Sequence, residues 1–248
     1  MTEPHYLDTP QGRRIAYHLS DGEGPCIVFL GGLKSDMEGT KALHLEAWAR
    51  GQGRAFLRFD YSGHGQSSGI FDEGCIGDWA EDTRAVIDAL TDGPILAVGS
   101  SMGGWQALLL ARAQPQRLAG LVTIAAAPDF TEDGWWAGFS EAEKLQLAAQ
   151  GKVELPSDYM EPYVVTGRMI EDGRKQLVLR SPLHLPFPVR LLQGTADTAV
   201  SVETATRLLT HATGPDIRLL LVKDADHRFS DGPCLGIIEA ALEEVLGA

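Results

Sequence analysis

Ser101 lies at the centre of a Gly-x-Ser-x-Gly motif, a pattern that can present a serine nucleophile. The motif runs from Gly99 to Gly103, after the apolar run 95–98 and before an apolar stretch typical of a helix. A strand, a sharp turn and a helix in this order raise a serine hydroxyl above the edge of a sheet. A Cβ at either flanking glycine would collide with the neighbouring strand or helix. Glycine and serine are also common in ordinary turns, so the motif by itself leaves both interpretations open.

Two later loops contain the side chains that would activate this serine. A serine hydroxyl needs a base within hydrogen-bond reach, and the base needs a carboxylate that orients it. Asp197 follows the predicted strand 188–194, and His227 follows the predicted strand 217–222. Because the carboxyl ends of parallel strands meet at one edge of a sheet, we expect the three side chains to converge there. The sequence therefore predicts Ser101 as nucleophile, His227 as base and Asp197 as the orienting acid.

Other carboxylates could take the place of the predicted acid. Asp129 follows the strand after the serine motif, at the same carboxyl edge of the predicted sheet. Asp224 and Asp226 adjoin His227, where we expect them to shape the loop rather than to hold the imidazole. Asp197 could instead be a turn or helix-cap aspartate. These alternatives differ in which carboxylate contacts the base.

Two other histidines and a neighbouring serine are alternative candidates for the chemistry. His64 lies in a glycine-rich loop, and His184 lies shortly before the strand at 188–194. We interpret both histidines as structural or rim residues. Ser100 lacks the flanking glycine spacing of its neighbour. His227 itself could be a surface histidine among charged residues.

Backbone amides near the serine could stabilise the negative charge of a tetrahedral intermediate. Met102 is the first residue of the predicted helix, where the N–H has no partner within the helix. Leu33 follows Gly31 and Gly32 at the end of the apolar run 26–30. Because glycines let the backbone approach closely, we expect the Met102 and Leu33 amides to form an oxyanion hole. A simple glycine turn is the alternative for the second loop.

The rest of the chain alternates between short apolar runs and amphipathic stretches. It begins with a predicted hairpin over 5–20. Predicted strands follow at 26–30, 55–59, 95–98, 118–125, 188–194 and 217–222, and predicted helices lie at 40–51, 78–90, 201–212 and 233–246. This alternation predicts an α/β fold with a mostly parallel, twisted sheet and helices on both faces. We interpret residues 1–248 as a single domain of this kind.

The segment 129–182 differs from the rest in composition. It contains several aromatic and charged residues, with helical rather than strand periodicity. We predict a small helical cap inserted into the sheet domain. Its large apolar side chains could form the cap's own core or line an acyl pocket; they are Trp135, Trp136, Met160, Tyr163 and Met169.

Composition narrows the possible partners. The formal net charge of −13 and the 44% of hydrophobic residues fit a globular protein and disfavour nucleic acid or an anionic membrane as a partner. The three cysteines are widely spaced without zinc-ligand spacing, so we predict no metal and no cofactor. No apolar run is long enough to span a membrane, and the polar N-terminal stretch indicates no signal or transit peptide. We expect a cytoplasmic monomer or homodimer without stable membrane insertion.

Together these motifs resemble the α/β-hydrolase family, in which the triad follows the chain order serine, aspartate, histidine. Within that family the chain is similar to mitochondrial palmitoyl-protein thioesterases. The similar segments are 32–42, 58–63, 99–105, 190–194 and 224–228. The resemblance places the family's nucleophile, acid and base on Ser101, Asp197 and His227.

The resemblance implies hydrolysis of the thioesters of fatty-acylated cysteine, and of some acyl esters, through an acyl-serine intermediate. The substrate would be a small molecule or an acylated protein. Two alternatives stay open. One is a carboxylesterase acting on small or acyl-glucuronide esters, and the other is a catalytically silent hydrolase scaffold that binds a ligand or a protein. A broken triad would indicate the scaffold, whereas acyl-chain profiling would separate the two enzymes.

Overall fold

An eight-stranded sheet organises the molecule. The computed structural model describes residues 3–155 and 162–247. In chain order the strands are β1 (His5–Asp8), β2 (Arg14–Ser20), β3 (Glu23–Leu30), β4 (Arg54–Phe59), β5 (Ile95–Ser100), β6 (Leu118–Ile124), β7 (Lys152–Leu155), β8 (Tyr163–Thr166), β9 (Val189–Gly194) and β10 (Ile217–Val222). The large sheet has the order β1-β2-β4-β3-β5-β6-β9-β10, and β7 pairs with β8 separately.

The central strand of the large sheet is β5, which ends at the serine motif. Its neighbours β3 and β6 both run parallel to it, and Gly99 pairs with Leu30 on one side and Thr123 on the other. In the large sheet, all neighbouring pairs along the order β4-β3-β5-β6-β9-β10 are parallel. The strands β1 and β2 form the predicted N-terminal hairpin, and β2 is antiparallel to β4. The carboxyl ends of β3, β5, β9 and β10 therefore lie along the same edge.

Helices connect the parallel strands and cover both faces of the sheet. They are α1 (Thr40–Gly51), α2 (Ile76–Leu90), α3 (Met102–Ala113), α4 (Glu141–Gln150), α5 (Gly167–Lys175), α6 (Val202–His211) and α7 (Gly232–Leu246). Side chains alternate across β5, so that Ala97 packs in one core layer and Val98 in the other. Trp79 and Trp105 fill the first layer. The second layer contains Leu45 of α1 and Ile238 of α7. The predicted α/β architecture is confirmed.

The start of α2 differs from the sequence-based expectation. The helix begins at Ile76, two residues before the predicted position. Its N-cap residue is Cys75, whose side chain makes no capping hydrogen bond. Because a cysteine gives no capping signature in a sequence, the pattern could not show where this helix begins.

The sequence predicted a helical cap over residues 129–182. In the structure this segment is not purely helical. Among its described residues, a π-helical turn over Thr131–Trp136 and the helices α4 and α5 lie on either side of the β7–β8 hairpin. Each hairpin strand has only four residues, which is too short to show a period of two. The left-handed Gly151 ends α4 and turns the chain directly into β7.

Over residues 3–155 and 162–247, no helix combines the length and the apolar character needed to cross a bilayer.

Candidate active site

Ser101 forms a strained turn between β5 and α3. Its backbone has φ 55° and ψ −117°, a region that residues other than glycine rarely adopt. The surrounding backbone fixes this conformation, because the Ser101 N–H donates to the Ile124 carbonyl at 2.9 Å and the Ser101 carbonyl accepts from Gly104 and Ala127. Strain held in this way is common at functional sites. The turn directs the Ser101 side chain away from the sheet edge.

The glycines of the motif are required by close packing, as the sequence had predicted. A Cβ at Gly99 would lie 2.4 Å from the Gly103 carbonyl oxygen, and a Cβ at Gly103 would lie 2.0 Å from the Leu30 carbonyl oxygen. A third glycine was missed in the sequence analysis. A Cβ at Gly104 would lie 2.6 Å from the Ala126 Cβ, so α3 could not pack as closely against the chain after β6.

The structure brings the three predicted side chains together. His227 Nε2 lies 3.1 Å from Ser101 Oγ, and His227 Nδ1 lies 2.8 Å from Asp197 Oδ2. Ser101 follows β5, Asp197 follows β9 and His227 follows β10, so parallel strands deliver all three to one edge. The imidazole therefore lies between a hydroxyl and a carboxylate with a separate ring nitrogen for each.

The Asp197 carboxylate is fully buried and accepts four hydrogen bonds. Ala199 and Val200 donate backbone N–H groups to Oδ1 at 2.9 and 2.8 Å, and Gln193 Nε2 donates to Oδ2 at 2.9 Å. Burial acts to raise the pKa of Asp197, but the hydrogen bonds from His227, Val200 and Gln193 more than offset it and hold the pKa below its ordinary value. The carboxylate thus stays ionised beside the imidazole.

Gln193 is a site residue that the sequence analysis missed. Its amide is fully buried at the end of β9 and contacts both Asp197 and the Val200 carbonyl. The available signal was a polar residue at the end of an otherwise apolar strand. Such a residue needs a buried partner.

The loop that contains His227 is held by several local contacts. Asp226 Oδ1 accepts from the Phe229 N–H at 3.0 Å, and the Asp224 N–H donates to Thr195 Oγ1 at 2.9 Å. These two aspartates shape the loop, in agreement with the interpretation from the sequence. Lys41 Nζ donates to the Arg228 carbonyl, and burial lowers the pKa of Lys41 to about 8. These contacts therefore hold the chain in place both before and after His227.

The loop after β3 lies beside the serine. A Cβ at Gly32 would lie 3.5 Å from the Ser101 Cβ, which shows how closely the loop approaches. Ser35 N–H donates to the Gly32 carbonyl at 3.2 Å and closes the turn. Within the residues that the structure describes, neither the Leu33 nor the Met102 amide donates a hydrogen bond. Both predicted oxyanion donors are thus available to a bound group.

A cavity of about 550 Å³ opens above Ser101. Its sheet-side wall contains Leu33, Met102 and His227. Its cap-side wall is largely apolar and contains Phe130, Trp135, Leu155 and Tyr163. A pocket of this size with one apolar wall and a few polar groups fits a small or chain-like organic ligand.

The cap aromatics divide between the two roles that the sequence left open. Trp135 and Tyr163 line the cavity, whereas Trp136 packs on Phe139 with ring centres 6.1 Å apart. Met169 is buried in the core layer beneath the sheet face. Met160 lies outside the described residues.

Asp129, the alternative acid, is occupied elsewhere. Its fully buried carboxylate accepts from the Val178 and Leu179 N–H groups at 2.8 and 3.0 Å and pairs with Arg180 at 2.8 Å. These contacts join the first residue of the cap segment to its last turn. Asp129 is therefore an anchor of that segment.

The alternative bases also lie in other surroundings. His64 is buried against Tyr61, Phe71 and Trp79, and its Nδ1 lies 3.2 Å from the Ser62 carbonyl oxygen. Burial lowers the pKa of His64 to about 4, so the ring is neutral at pH 7. His184 is exposed and lies 3.3 Å from Thr213 Oγ1. Ser100, the last residue of β5, makes no contact with the imidazole among the described hydrogen bonds.

Metal-ligating side chains do not cluster in the described part of the chain. No group of three His, Cys, Asp or Glu side chains there is arranged to hold an ion. The three cysteines are free and buried at separate positions, Cys26, Cys75 and Cys234.

Comparison with known proteins identifies the family. A family model described as the alpha/beta hydrolase fold matches residues 32–163. Palmitoyl-protein thioesterase ABHD10, mitochondrial, from Bos taurus is 33% identical over 250 residues, covering 99% of this chain and 80% of the relative.

Two solved structures are similar over nearly their whole lengths. A protein from Agrobacterium vitis S4 has a TM-score of 0.94 with 37% identity, 98% of each chain being covered. Alpha/beta hydrolase domain-containing protein 10 from mouse has a TM-score of 0.92 with 29% identity and 99% coverage of each chain.

The family match covers the serine motif and the loop after β3, and the structural matches extend over the strands that position Asp197 and His227. The family and the hydrolase class expected from the sequence are confirmed, and the chain belongs to the alpha/beta-hydrolase family.

Proposed function

We propose that this chain is a serine hydrolase that cleaves acyl thioesters or esters through an acyl-serine intermediate. Ser101 is the nucleophile, His227 the general base and Asp197 the carboxylate that orients it. The observation that supports these roles most strongly is the position of His227, which lies 3.1 Å from Ser101 Oγ and 2.8 Å from Asp197 Oδ2. Both distances are within hydrogen-bond reach, as proton transfer requires.

In the first step, Ser101 Oγ bonds to the acyl carbon while its proton moves to His227 Nε2. The π electrons of the carbonyl shift to oxygen, and the Leu33 and Met102 amides bind the resulting oxyanion. The imidazolium is stabilised by the ionised Asp197, which also fixes the tautomer before the reaction. Donors that are placed before the charge develops stabilise the transition state more than the ground state.

In the second step, the bond from the acyl carbon to sulfur or oxygen breaks, and His227 gives its proton to the leaving thiolate or alkoxide. Water then loses a proton to His227 as its oxygen bonds to the acyl carbon of the acyl-enzyme. The ester bond to Ser101 breaks, Oγ regains the proton, and a carboxylic acid leaves. The net reaction consumes one water and needs no further reactant.

The acyl group is proposed to occupy the apolar side of the cavity, against Phe130, Trp135 and Leu155. The cap segment 129–182, inserted into the single domain 1–248, would thus select the acyl chain. The relative from Bos taurus is named a palmitoyl-protein thioesterase. We extend that substrate class to this chain and propose a fatty-acylated protein cysteine, or a small-molecule thioester, as substrate. No cofactor is part of the proposal.

The test combines covalent labelling with turnover. Ser101→Ala should abolish labelling by a fluorophosphonate and turnover of p-nitrophenyl acyl esters, while circular dichroism and thermal unfolding stay close to wild type. A profile of acyl thioesters and oxyesters of increasing chain length then separates a thioesterase from a carboxylesterase of small or acyl-glucuronide esters. Undiminished turnover by Ser101→Ala would exclude the mechanism.

A cytoplasmic location and a monomeric or homodimeric state complete the proposal. The free thiols of the three buried cysteines support a reducing compartment. The relative from Bos taurus has "mitochondrial" in its name, so cell fractionation with compartment markers is the decisive measurement. Light scattering would give the oligomeric state.

A further inference from the structure

Lys34 follows Leu33, the proposed oxyanion donor, and has an unusual backbone. Its φ of 55° is in the left-handed region, which a lysine rarely adopts. Such a conformation persists only where the surroundings fix it. The Lys34 side chain is exposed, and its contacts link this backbone to other segments of the chain.

The ammonium group of Lys34 contacts two other segments of the chain. Lys34 Nζ donates to the Pro162 carbonyl at 3.1 Å, directly before β8. The same nitrogen lies 5.2 Å from the ring centre of Phe71 and 5.5 Å from that of Tyr163. Both distances are within the range of a cation–π interaction. Lys34 therefore connects the loop after β3 to the cap hairpin and to the 3-10 turn at 71–73.

The two aromatic partners are themselves held in place. Phe71 stacks on Trp79 with ring centres 5.8 Å apart, and it meets the edge of His64 at 5.2 Å. Tyr163 lines the cavity above Ser101 and lies beside Trp135. One partner of Lys34 is thus partly buried against the core of the sheet domain, and the other belongs to the wall that would contact an acyl group.

The N-terminal side of the same loop is formed by two glycines, and the second, Gly32, lies close to Ser35 and Ser101. A Cβ at Gly31 would find no atom within 4 Å, and Gly32 follows it directly. Two successive glycines allow wide backbone freedom. On the C-terminal side of Leu33, Lys34 adds contacts to two other segments of the chain.

We propose that Lys34 is a positioning residue that sets the Leu33 amide for the oxyanion and makes this setting depend on the docked cap hairpin. The inference rests on the proposed function, in which Leu33 N–H is an oxyanion donor. An oxyanion donor must lie within about 2.7–3.1 Å of the developing charge, so a small displacement of this loop reduces its effect. The oxyanion hole would then be complete only when the cap hairpin contacts Lys34.

The first experiment compares Lys34→Met with a matched control, Lys144→Met, on a p-nitrophenyl acyl ester. Lys144 also lies over a cap aromatic, at 5.5 Å from Trp136, but Trp136 does not line the cavity as Tyr163 does. We expect Lys34→Met to lower kcat by about 10-fold, because an oxyanion donor is displaced rather than lost, with KM changed less than about twofold. Lys144→Met should match wild type. Lys34→Arg keeps the cation and a donor and should retain kcat within about threefold.

The second experiment separates an oxyanion effect from a change of pocket shape. A boronic acid forms a tetrahedral adduct on a nucleophilic serine, whereas a fatty acid binds as the product. Lys34→Met should weaken boronate inhibition by about the same factor as kcat and leave fatty-acid binding unchanged. Equal loss of both, or a rise in KM with kcat unchanged, would contradict the proposal and indicate that Lys34 only shapes the acyl wall.

Two further comparisons keep the outcomes distinct. If Lys34→Met does not fold, Lys34→Gln carries the same measurements, since glutamine retains a donor for the Pro162 carbonyl but removes the charge. A wild-type protein without turnover or fluorophosphonate labelling would refute the proposed function. A wild type that is active, together with an unaffected Lys34→Met, would refute only the role of Lys34.

Discussion

At the scale of single residues, the Asp197 carboxylate accepts more hydrogen bonds than the other carboxylates near the site. Its four donors come from two backbone amides, an amide side chain and the imidazole. The pKa of Asp197 is held below its ordinary value, so the group is ionised throughout the neutral range. In the proposed mechanism, a carboxylate in this state fixes Nδ1 of His227 as the protonated nitrogen and leaves Nε2 free to accept a proton.

Asp197→Asn should therefore lower kcat by about 1,000- to 10,000-fold with little loss of stability, because an amide of the same shape favours the wrong imidazole tautomer. The measurement is turnover of a p-nitrophenyl acyl ester together with thermal unfolding. Asp224→Asn, in the same loop as the histidine, is the control and should keep wild-type kcat. A mild effect of Asp197→Asn would mean that another group orients the base.

His64 allows a prediction about pH at the same scale. Burial lowers the pKa of His64 from 6.5 to about 4. Between these values the unfolded chain binds a proton that the native state does not, so the free energy of unfolding falls as the pH decreases from 6.5 to 4. His64→Gln should make this dependence less steep by up to about 1.4 kcal/mol per pH unit.

Urea unfolding at several pH values between 4 and 7 measures the effect. The exposed His184→Gln is the matched control and should leave the slope unchanged. If wild type and His64→Gln have parallel curves, the imidazole is not held neutral in the native state.

At the scale of elements, the turn from β5 to α3 decides whether the Ser101 side chain reaches the cavity. The end of β3, the serine turn and the start of α3 meet without space for a side chain at Gly103. The Leu30 carbonyl that limits this space belongs to backbone and cannot rotate away. The serine motif and the packing of α3 against β3 therefore both require glycine at position 103.

Gly103→Ala should destabilise the fold by about 1–3 kcal/mol or more and abolish activity, since the new Cβ would force α3 away from β3. Gly138→Ala is the control, because nothing lies within 4 Å of a Cβ there. That variant should remain within about 1 kcal/mol of wild type. Chemical denaturation and ester turnover measure both changes, and a fully active Gly103→Ala would disprove the packing argument.

At the scale of the whole molecule, buried and exposed charges join the two ends of the cap segment. Asp129 ties the start of the segment to the N–H groups of Val178 and Leu179 at its end. Arg180 pairs with Asp129 and Asp133. The two ends of the cap are thus joined at its base, while its hairpin contacts the loop after β3 through Lys34.

Asp129→Asn should destabilise the protein by about 2–4 kcal/mol, because an amide can accept through only one oxygen and leaves a buried N–H unpaired. Hydrogen exchange should accelerate at Val178 and Leu179 more than in β5. The half-exposed Asp133→Asn should cost no more than about 1 kcal/mol, as expected for exposed ion pairs. Unchanged exchange at the two amides would show that Asp129 does not anchor the segment.

Much of this fold follows from local patterns. The alternation of apolar runs and amphipathic stretches predicted the order of strands and helices, because burial on both faces of a parallel sheet imposes continuous apolar runs. The serine motif predicted its turn for a similar reason, since only glycine fits at Gly99 and Gly103. Cys75 and the β7–β8 hairpin were missed because a cap without a polar side chain and two four-residue strands leave too little local signal.

The sequence by itself determined the α/β architecture and the candidates for nucleophile, acid and base, because periodicity and turn chemistry depend on near neighbours. Only the tertiary structure decided which carboxylate contacts His227, and which of the adjacent Trp135 and Trp136 lines the cavity. It also revealed that Lys34 reaches Pro162, 128 positions away in the chain. The physical reason is the same in each case. These choices depend on how separate elements pack in space, and residue types at close spacing do not encode which of two neighbouring side chains will face a distant partner.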